Sequence, residues 1–282
     1  MDINTLIPKE TDFTIPKGRE REFEILSNSI LSGENILLRG EPGCGKSAYV
    51  LHLAAKHKVP VIQIQGDGDM GVVDIVGGFQ YSSLKNGTYW IDGALSFALR
   101  NGCWVLFDEI NMTLPEVLAR LHSVLDHRRH LDLKETGESI IRSSGTAFIG
   151  TMNPDDFGVH SGTKPLSPAL FSRFDIIMDF DYLSGNEEVK LLMKTSDISL
   201  KDAQTMVSIA EKSREARKNL EMSLSIDTRM LIAWSKKAVQ YGLKDSARAV
   251  LVSRFSDADK AALRGILVGF GLIDLVKKGS QK

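Results

Sequence analysis

The octet Gly40–Ser47, GEPGCGKS, has the form GxxxxGK(S/T) and stands between two stretches of different periodicity. An apolar run, Asn35–Arg39, precedes it, and a helix-compatible stretch, Ala48–His57, comes after it. That order asks for a buried strand, a tight loop and a helix, a combination that a Gly-rich surface loop does not need. Glycines at 40, 43 and 45 let the backbone curl until successive N–H groups point inward, and the helix adds the positive end of its dipole. Such a loop cradles phosphate oxygens. Gly40, Glu41, Pro42, Gly43, Cys44, Gly45, Lys46, Ser47 and Ala48 are therefore the expected nucleotide-binding residues. Lys46 would reach the β- and γ-phosphates of a nucleoside triphosphate, ATP in the simplest case, and the Ser47 hydroxyl would hold Mg²⁺.

Bulk properties narrow the class. The chain of 282 residues has room for one large or two ordinary domains, each with its own core. Its 35 Lys and Arg against 36 Asp and Glu leave a net charge of −1, so no global field draws it to nucleic acid or anionic lipid. No apolar run is long enough to cross a bilayer, and Met1–Glu10 has no signal-peptide core, so membrane insertion is not expected and the cytoplasm is the expected location. The two cysteines, Cys44 inside the loop and Cys103 before an apolar run, do not suggest a structural disulfide.

Along the first half, short apolar runs alternate with helical periodicity, the pattern of an α/β domain with a parallel sheet covered on both faces. Strands are expected at Asn35–Leu38, Val59–Gln63, Trp104–Phe107, Ala147–Thr151 and Ile176–Phe180, and helices at Lys46–His57, Ala94–Arg100 and Leu114–Asp126. From Glu187 to Val276 apolar residues recur at helical spacing with no strand pattern, so a small all-helical domain is expected over 185–282 after an α/β domain over 1–184. The Ser-Gly-Asn stretch at 184–186 reads as a hinge turn between them, and Lys277–Lys282 as a frayed tail. Two insertions exceed a minimal nucleotide-binding core. Residues 67–92 contain two short strands around an Asn86-Gly87 turn, and residues 129–144 a second hairpin around Thr136-Gly137. Both could face a partner.

Next come the chemistry-bearing residues. Trp104–Phe107 ends in Asp108 and Glu109, so a buried strand delivers two carboxylates to its C-terminal edge. Asp108 would join Ser47 in holding Mg²⁺, and Glu109 would polarise an attacking water. The apolar run Phe148–Met152 ends in Asn153, whose amide could bond both that water and the γ-phosphate. Arg173, in the segment ALFSRF, could reach a neighbouring subunit's γ-phosphate, and Arg229, at the start of a C-terminal helix, could fold back onto the phosphates. His122, His127 and His130 have spacings of five and three, which fit no common zinc pattern. Arg120, Arg128 and Arg129 could contact a neighbouring subunit or simply be solvated. The basic run Lys212–Lys218 alternates with Glu211 and Glu215 and reads as a solvated helix face.

In this order the motifs resemble those of the MoxR type of AAA+ ATPases, and within it the CbbQ/NirQ/NorQ/GvpN subfamily. The likeness runs from about Pro16 to Gly271 and rests on GEPGCGKS, on DIVGGF followed by TYWIDGALS, and on VLFDEIN, LHSVLDHRRHLDLKETGE, TMNP, ALFSRF and DTRMLI. It implies an AAA+ α/β domain with inserted β-hairpins, followed by a helical lid. Lys46 and Ser47 would be the Walker A pair, Asp108 and Glu109 the Walker B pair, Asn153 sensor 1, Arg173 the arginine finger and Arg229 sensor 2. The 129–144 hairpin would be the pre-sensor-1 insertion, and residues 71–92 would contain the insertion in the second helix. The resemblance also implies a homo-oligomeric ring, a hexamer, that remodels or activates a client metalloenzyme or enzyme complex with a von Willebrand A domain partner. Two other functions share many of these motifs: the ATPase subunit of a tetrapyrrole metal chelatase, and the motor of a nucleic-acid translocase or restriction system. The near-zero net charge counts against the second. A ring that binds nucleotide without hydrolysing it is the remaining alternative.

Overall fold

A computed structural model describes residues 2–82, 87–154 and 165–273. Met1–Glu41 with Gly45–Phe180 form one compact unit, and Pro42–Cys44 with Asp181–Lys282 a second. The described residues of the first contain nine strands: β1 (Asn35–Gly40), β2 (Val61–Gln65), β3 (Gly77–Ser82), β4 (Gly87–Asp92), β5 (Trp104–Asp108), β6 (His130–Leu133), β7 (Glu138–Ile141), β8 (Phe148–Met152) and β9 (Ile176–Phe180). Five of them make a parallel sheet in the order β2-β5-β8-β1-β9. Residues of β1, β5 and β8 are almost wholly buried, as apolar strands covered on both faces must be. Because the strands run parallel, Gly40, Asp108 and Met152 all end at one edge, where open α/β sheets bind ligands.

The helices Lys46–His57 and Ala94–Arg100 have the predicted bounds. Strand β2 begins two residues later than predicted. Lys58 adopts a left-handed conformation (φ 55°), and the Val59 N–H turns back to Ala54 O at 2.9 Å, so residues 58–59 cap the preceding helix before Pro60 lets the strand begin. The single helix expected over 114–126 is two short ones, Pro115–Leu118 and Leu121–Leu125. Between them the Arg120 N–H bonds Val117 O, three residues back, which tightens the turn.

Both insertions are antiparallel hairpins. Strand β3 pairs with β4 from Gly77↔Asp92 to Ser82↔Gly87, so Gly87 stands in a strand; Asn86 lies outside the described residues. Strand β6 pairs with β7 from His130↔Ile141 to Leu133↔Glu138, and Gly137 turns the chain at φ 73°. Arg100 links the hairpins, with its Nε 2.8 Å from Asp92 of β4 and its Nη1 2.5 Å from Glu138 of β7.

The described residues of the second unit contain helices at Gly185–Thr195, Leu200–Lys218, Thr228–Val250 and Asp257–Gly269, a 3₁₀ turn at Val252–Arg254, and no strand. Ser184–Asn186 is not a free hinge turn. Ser184 caps the first helix and exchanges bonds with Glu187 in a capping box, so Gly185 and Asn186 are already helical. Ser199, Asp227 and Ser256 cap the other three. Leu192, Met206, Ile209, Leu231, Trp234, Leu263 and Leu267 fill the core. The third helix kinks at Gly242 (φ 76°), and the Trp234 indole donates across the kink to Ser246 Oγ at 2.9 Å. Glu188 is fully buried, and Arg214 clamps both its oxygens, at 2.8 and 2.9 Å, while Thr228 donates a third bond. The frayed tail read at Lys277–Lys282 lies outside the described residues.

Candidate nucleotide-hydrolysis site

The loop between β1 and the helix Lys46–His57 turns through left-handed glycines, Gly43 at φ 73° and Gly45 at φ 102°. A side chain at either position would be strained, which is why the motif keeps them glycine. Lys46 opens the helix and is buried to 8% exposure. Its ammonium lies over the start of the loop, donating to Gly40 O at 2.6 Å and Glu41 O at 3.0 Å, and stands 3.4 Å from Asn153 Oδ1. Ser47, one residue on, donates to Asp108 Oδ1 at 2.5 Å.

Asp108 and Glu109 leave the end of β5 in different environments. Asp108 Oδ1 also accepts from Thr151 Oγ1 at 2.8 Å. That hydroxyl in turn accepts the Glu109 N–H at 3.2 Å. Glu109 itself is left-handed (φ 53°, ψ 43°), an uncommon backbone for a non-glycine residue and one that recurs where a side chain must be re-aimed. Its carboxylate accepts from Gln65 Nε2 at 2.9 Å, at the end of the adjacent strand β2, where Gln65 and Asp108 are in register. Gly66 then passes so close that a Cβ there would stand 2.4 Å from Glu109 O. Asn153 comes directly after β8 with 8% exposure, and its main-chain oxygen accepts from Asn111 at 3.4 Å.

Of the predicted residues, the structure thus brings together Lys46, Ser47, Asp108 and Asn153, with Glu109 held through Thr151. Arg173 is not in this group. Its Nε donates to His122 O at 3.2 Å and its Nη1 to Ala169 O, so its side chain is moored on the helices Leu121–Leu125 and Pro168–Phe171. Burial and Arg173 together push the His122 imidazole below its usual range, with Asp126 opposing. Arg229 belongs to the second unit, exposed in the first turn of the helix Thr228–Val250. Thr151 opens the TMNP motif without being assigned a role by it, and Gln65 lies in no motif. The available signal is positional: each is polar and lies at the C-terminal end of a strand flanking the one that delivers the acidic pair.

The donor set fits a magnesium ion. A hydroxyl and a carboxylate already share a hydrogen bond, both are hard oxygen ligands, and Mg²⁺ takes one or two protein oxygens and completes its shell with water and phosphate. Ser47 and Asp108 would hold it, and when bound it would supply charge neutralisation between the β- and γ-phosphates. The chain's own residues can do the rest. Lys46 can exchange its carbonyl partners for phosphate oxygens, Glu109 can accept a proton from water, and the Asn153 amide can orient that water.

Residues 35–174 match the AAA domain of the dynein-related subfamily, and residues 188–267 match the CbbQ/NirQ/NorQ C-terminal domain. Among characterised relatives, the CbbQ protein of Hydrogenophilus thermoluteolus is 32% identical over 197 residues, covering 70% of this chain and 71% of the relative. The NorQ protein of Paracoccus denitrificans is 29% identical, covering 91% and 92%. The denitrification regulatory protein NirQ of Pseudomonas aeruginosa is 28% identical, covering 87% and 93%. A crystal structure from Cytophaga hutchinsonii, described as that of a candidate ATPase, superposes with a TM-score of 0.51 at 18% identity, over 98% of this chain and 93% of that one, and shows the shared fold. The phosphate loop, the acidic pair at the strand edge and the paired domain matches place the chain in the CbbQ/NirQ/NorQ family of AAA+ ATPases, enzymes that hydrolyse ATP to ADP and phosphate.

Proposed function

We propose that this ATPase works as a cytoplasmic ring, a hexamer of identical chains, that remodels or activates a client metalloenzyme or enzyme complex together with a von Willebrand A domain protein. Mg²⁺-ATP binds along residues 40–48, with the ion held by Ser47 and Asp108. Glu109 takes a proton from the attacking water while Asn153 orients it. Arg173 of the next subunit offsets charge on the leaving phosphoryl group, and Arg229 couples the helical unit to the nucleotide state. The observation that carries the reading is the bonded set Ser47–Asp108–Thr151–Glu109 N–H, with the Glu109 carboxylate bonded separately by Gln65; it supports giving the metal to Asp108 and the water to Glu109. Support for the regulatory role comes from relatives described as denitrification regulatory proteins that match nearly the whole chain. The two hairpins, β3–β4 and β6–β7, supply surface for a client; Phe79 and Tyr81 of β3 are more than half exposed.

Glu109→Gln tests the chemistry and the partner at once. The variant should bind ATP normally and lose turnover, so that rings locked with Mg²⁺-ATP capture a von Willebrand A protein and its client from source lysate for mass spectrometry. Native hydrolysis rates in Glu109→Gln would refute the assignment of the base. Capture of chelatase subunits or nucleic acid would refute the assignment of the client.

A further inference from the structure

Arg142, the residue directly after β7, is 2% exposed, and among the described residues its guanidinium bonds carbonyl and amide oxygens rather than a carboxylate. It donates to Thr146 O (2.9 Å), Val124 O (3.2 Å), Gly33 O (2.9 Å), Glu34 O (3.4 Å) and Asn35 Oδ1 (2.5 Å). Burial and the nearby Arg129 push its pKa down to about 9, with Asp175 opposing, so it remains charged at neutral pH. An apolar side chain here would leave these acceptors without a donor, so the fork of donors serves to tie their segments together.

That purpose is visible at Asn35, the first residue of β1, which is 5% exposed. Arg142 can only donate, so it must face the amide oxygen, and this fixes which way the Asn35 amide points. Nδ2 is thereby aimed at two carbonyls, Leu125 O and Arg173 O, both at 2.7 Å. The Asn35 main chain completes the hold: its N–H donates to Asp175 Oδ2 and its carbonyl accepts the Asp175 N–H, each at 2.8 Å. The Arg173 side chain is moored on the carbonyl of His122, in the same helix whose Val124 and Leu125 carbonyls bond Arg142 and Asn35. Both ends of Arg173, backbone and guanidinium, are therefore referenced to one hub. The hub is also joined to the second hairpin, because the Arg142 N–H bonds Arg129 O at 2.7 Å and closes its base.

We propose that Asn35 and Arg142 are positioning residues for Arg173, and that the β6–β7 hairpin sets, through them, how well one chain promotes hydrolysis in its neighbour's site. The inference rests on reading Arg173 as a residue that acts in trans. Force or ordering applied to the hairpin by a bound protein would reach Arg173 through an unbroken run of hydrogen bonds, buried at Arg142 and part-buried where they meet Arg173, without passing through the hairpin-bearing chain's own nucleotide.

Mixed rings test this. Chains carrying Arg173→Ala keep a complete hydrolysis site, and chains carrying Lys46→Ala keep Arg173; mixing the two should restore activity that neither has alone. Absence of rescue in this parent mixture would refute the trans role of Arg173 itself, a failure distinct from that of the hub. With the parent rescue in hand, Arg142→Lys or Asn35→Asp is added to one chain type at a time. Each should cut rescue at least tenfold when placed on the Lys46→Ala donor, and leave it within about twofold when placed on the Arg173→Ala recipient, with the KM for ATP unchanged. Ring assembly of every mixture is followed by light scattering. Equal rescue from donors that assemble normally would overturn the proposal. Equal losses in donor and recipient, or failure of both variants to assemble, would assign the hub to folding alone and overturn it too.

Discussion

Thr151→Val removes one hydroxyl from a residue that is 2% exposed and leaves the shape of the side chain almost unchanged. Two bonds go with it: the donation to Asp108 Oδ1 at 2.8 Å and the acceptance from Glu109 N–H at 3.2 Å. A hydrogen bond to a charged acceptor contributes about 1.5–3 kcal/mol, and a buried N–H left without an acceptor costs about 1–3 kcal/mol. Glu109 is only half-buried, so water recovers part of the second, and a total near 3 kcal/mol is expected. At about 2–4 °C per kcal/mol for a chain of this size, the melting temperature should fall by roughly 6–12 °C. Catalysis should suffer as well, because the Thr151 hydroxyl anchors the N–H of a left-handed Glu109. Losing even about 1.4–2.7 kcal/mol of that positioning lowers kcat roughly 10- to 100-fold. Circular dichroism melting and steady-state phosphate release measure the two effects separately, and Thr151→Ser, which keeps the hydroxyl, should recover most of both. A Thr151→Val enzyme with native kcat would refute the claim that this hydroxyl sets the carboxylates, whatever its melting temperature.

Gly66→Ala should lower kcat with little change in fold, because its Cβ would stand 2.4 Å from Glu109 O and 2.6 Å from Thr113 Oγ1 and so displace the Glu109 peptide; native phosphate release would count against that placement. Arg214→Ala strips the buried Glu188 carboxyl of its guanidinium partner and should cost about 3–5 kcal/mol in urea unfolding, with Glu188→Gln in the same background recovering part; a loss under about 1 kcal/mol would refute the burial of that pair. The His122 imidazole is held below its ordinary value, so near and below about pH 6.5 the unfolded chain binds a proton that the folded chain resists. Stability should therefore be unaffected by His122 well above that pH and fall as pH drops through it, and His122→Asn should flatten this part of the melting-temperature profile.

The sheet was legible because its signals are local. Each strand of the parallel sheet is a run of apolar residues short enough to span one layer, and the glycine loop dictates a helix after the first of them. The errors fall where a single capping hydrogen bond, rather than composition, decides. Val59 looks like the start of a strand by composition, yet its N–H is used to close the helix before it. Ser184 looks like a turn former, and becomes a helix cap because Glu187 stands three residues on. The site divides in the same way. Lys46, Ser47, Asp108 and Asn153 carry their identity in motifs next to strand ends, whereas Thr151, Gln65, Asn35 and Arg142 acquire roles from partners up to 140 residues away.

The candidate site residues also divide by which end of a strand introduces them. Parallel strands deliver every residue beyond their C-terminal ends to one edge, so a lysine, a serine, two carboxylates and an amide converge with no further instruction. Arg173 precedes β9 rather than coming after a strand, and its guanidinium is moored on carbonyls of residues 122 and 169. A cation introduced from the N-terminal side of a strand cannot join the set that collects at the opposite end of the same sheet. If Arg173 takes part in phosphoryl transfer, it must do so on nucleotide bound by another chain. On that reading the direction of the strands separates the groups proposed to bind ATP from the one proposed to complete its hydrolysis, and assembly becomes a condition of full activity.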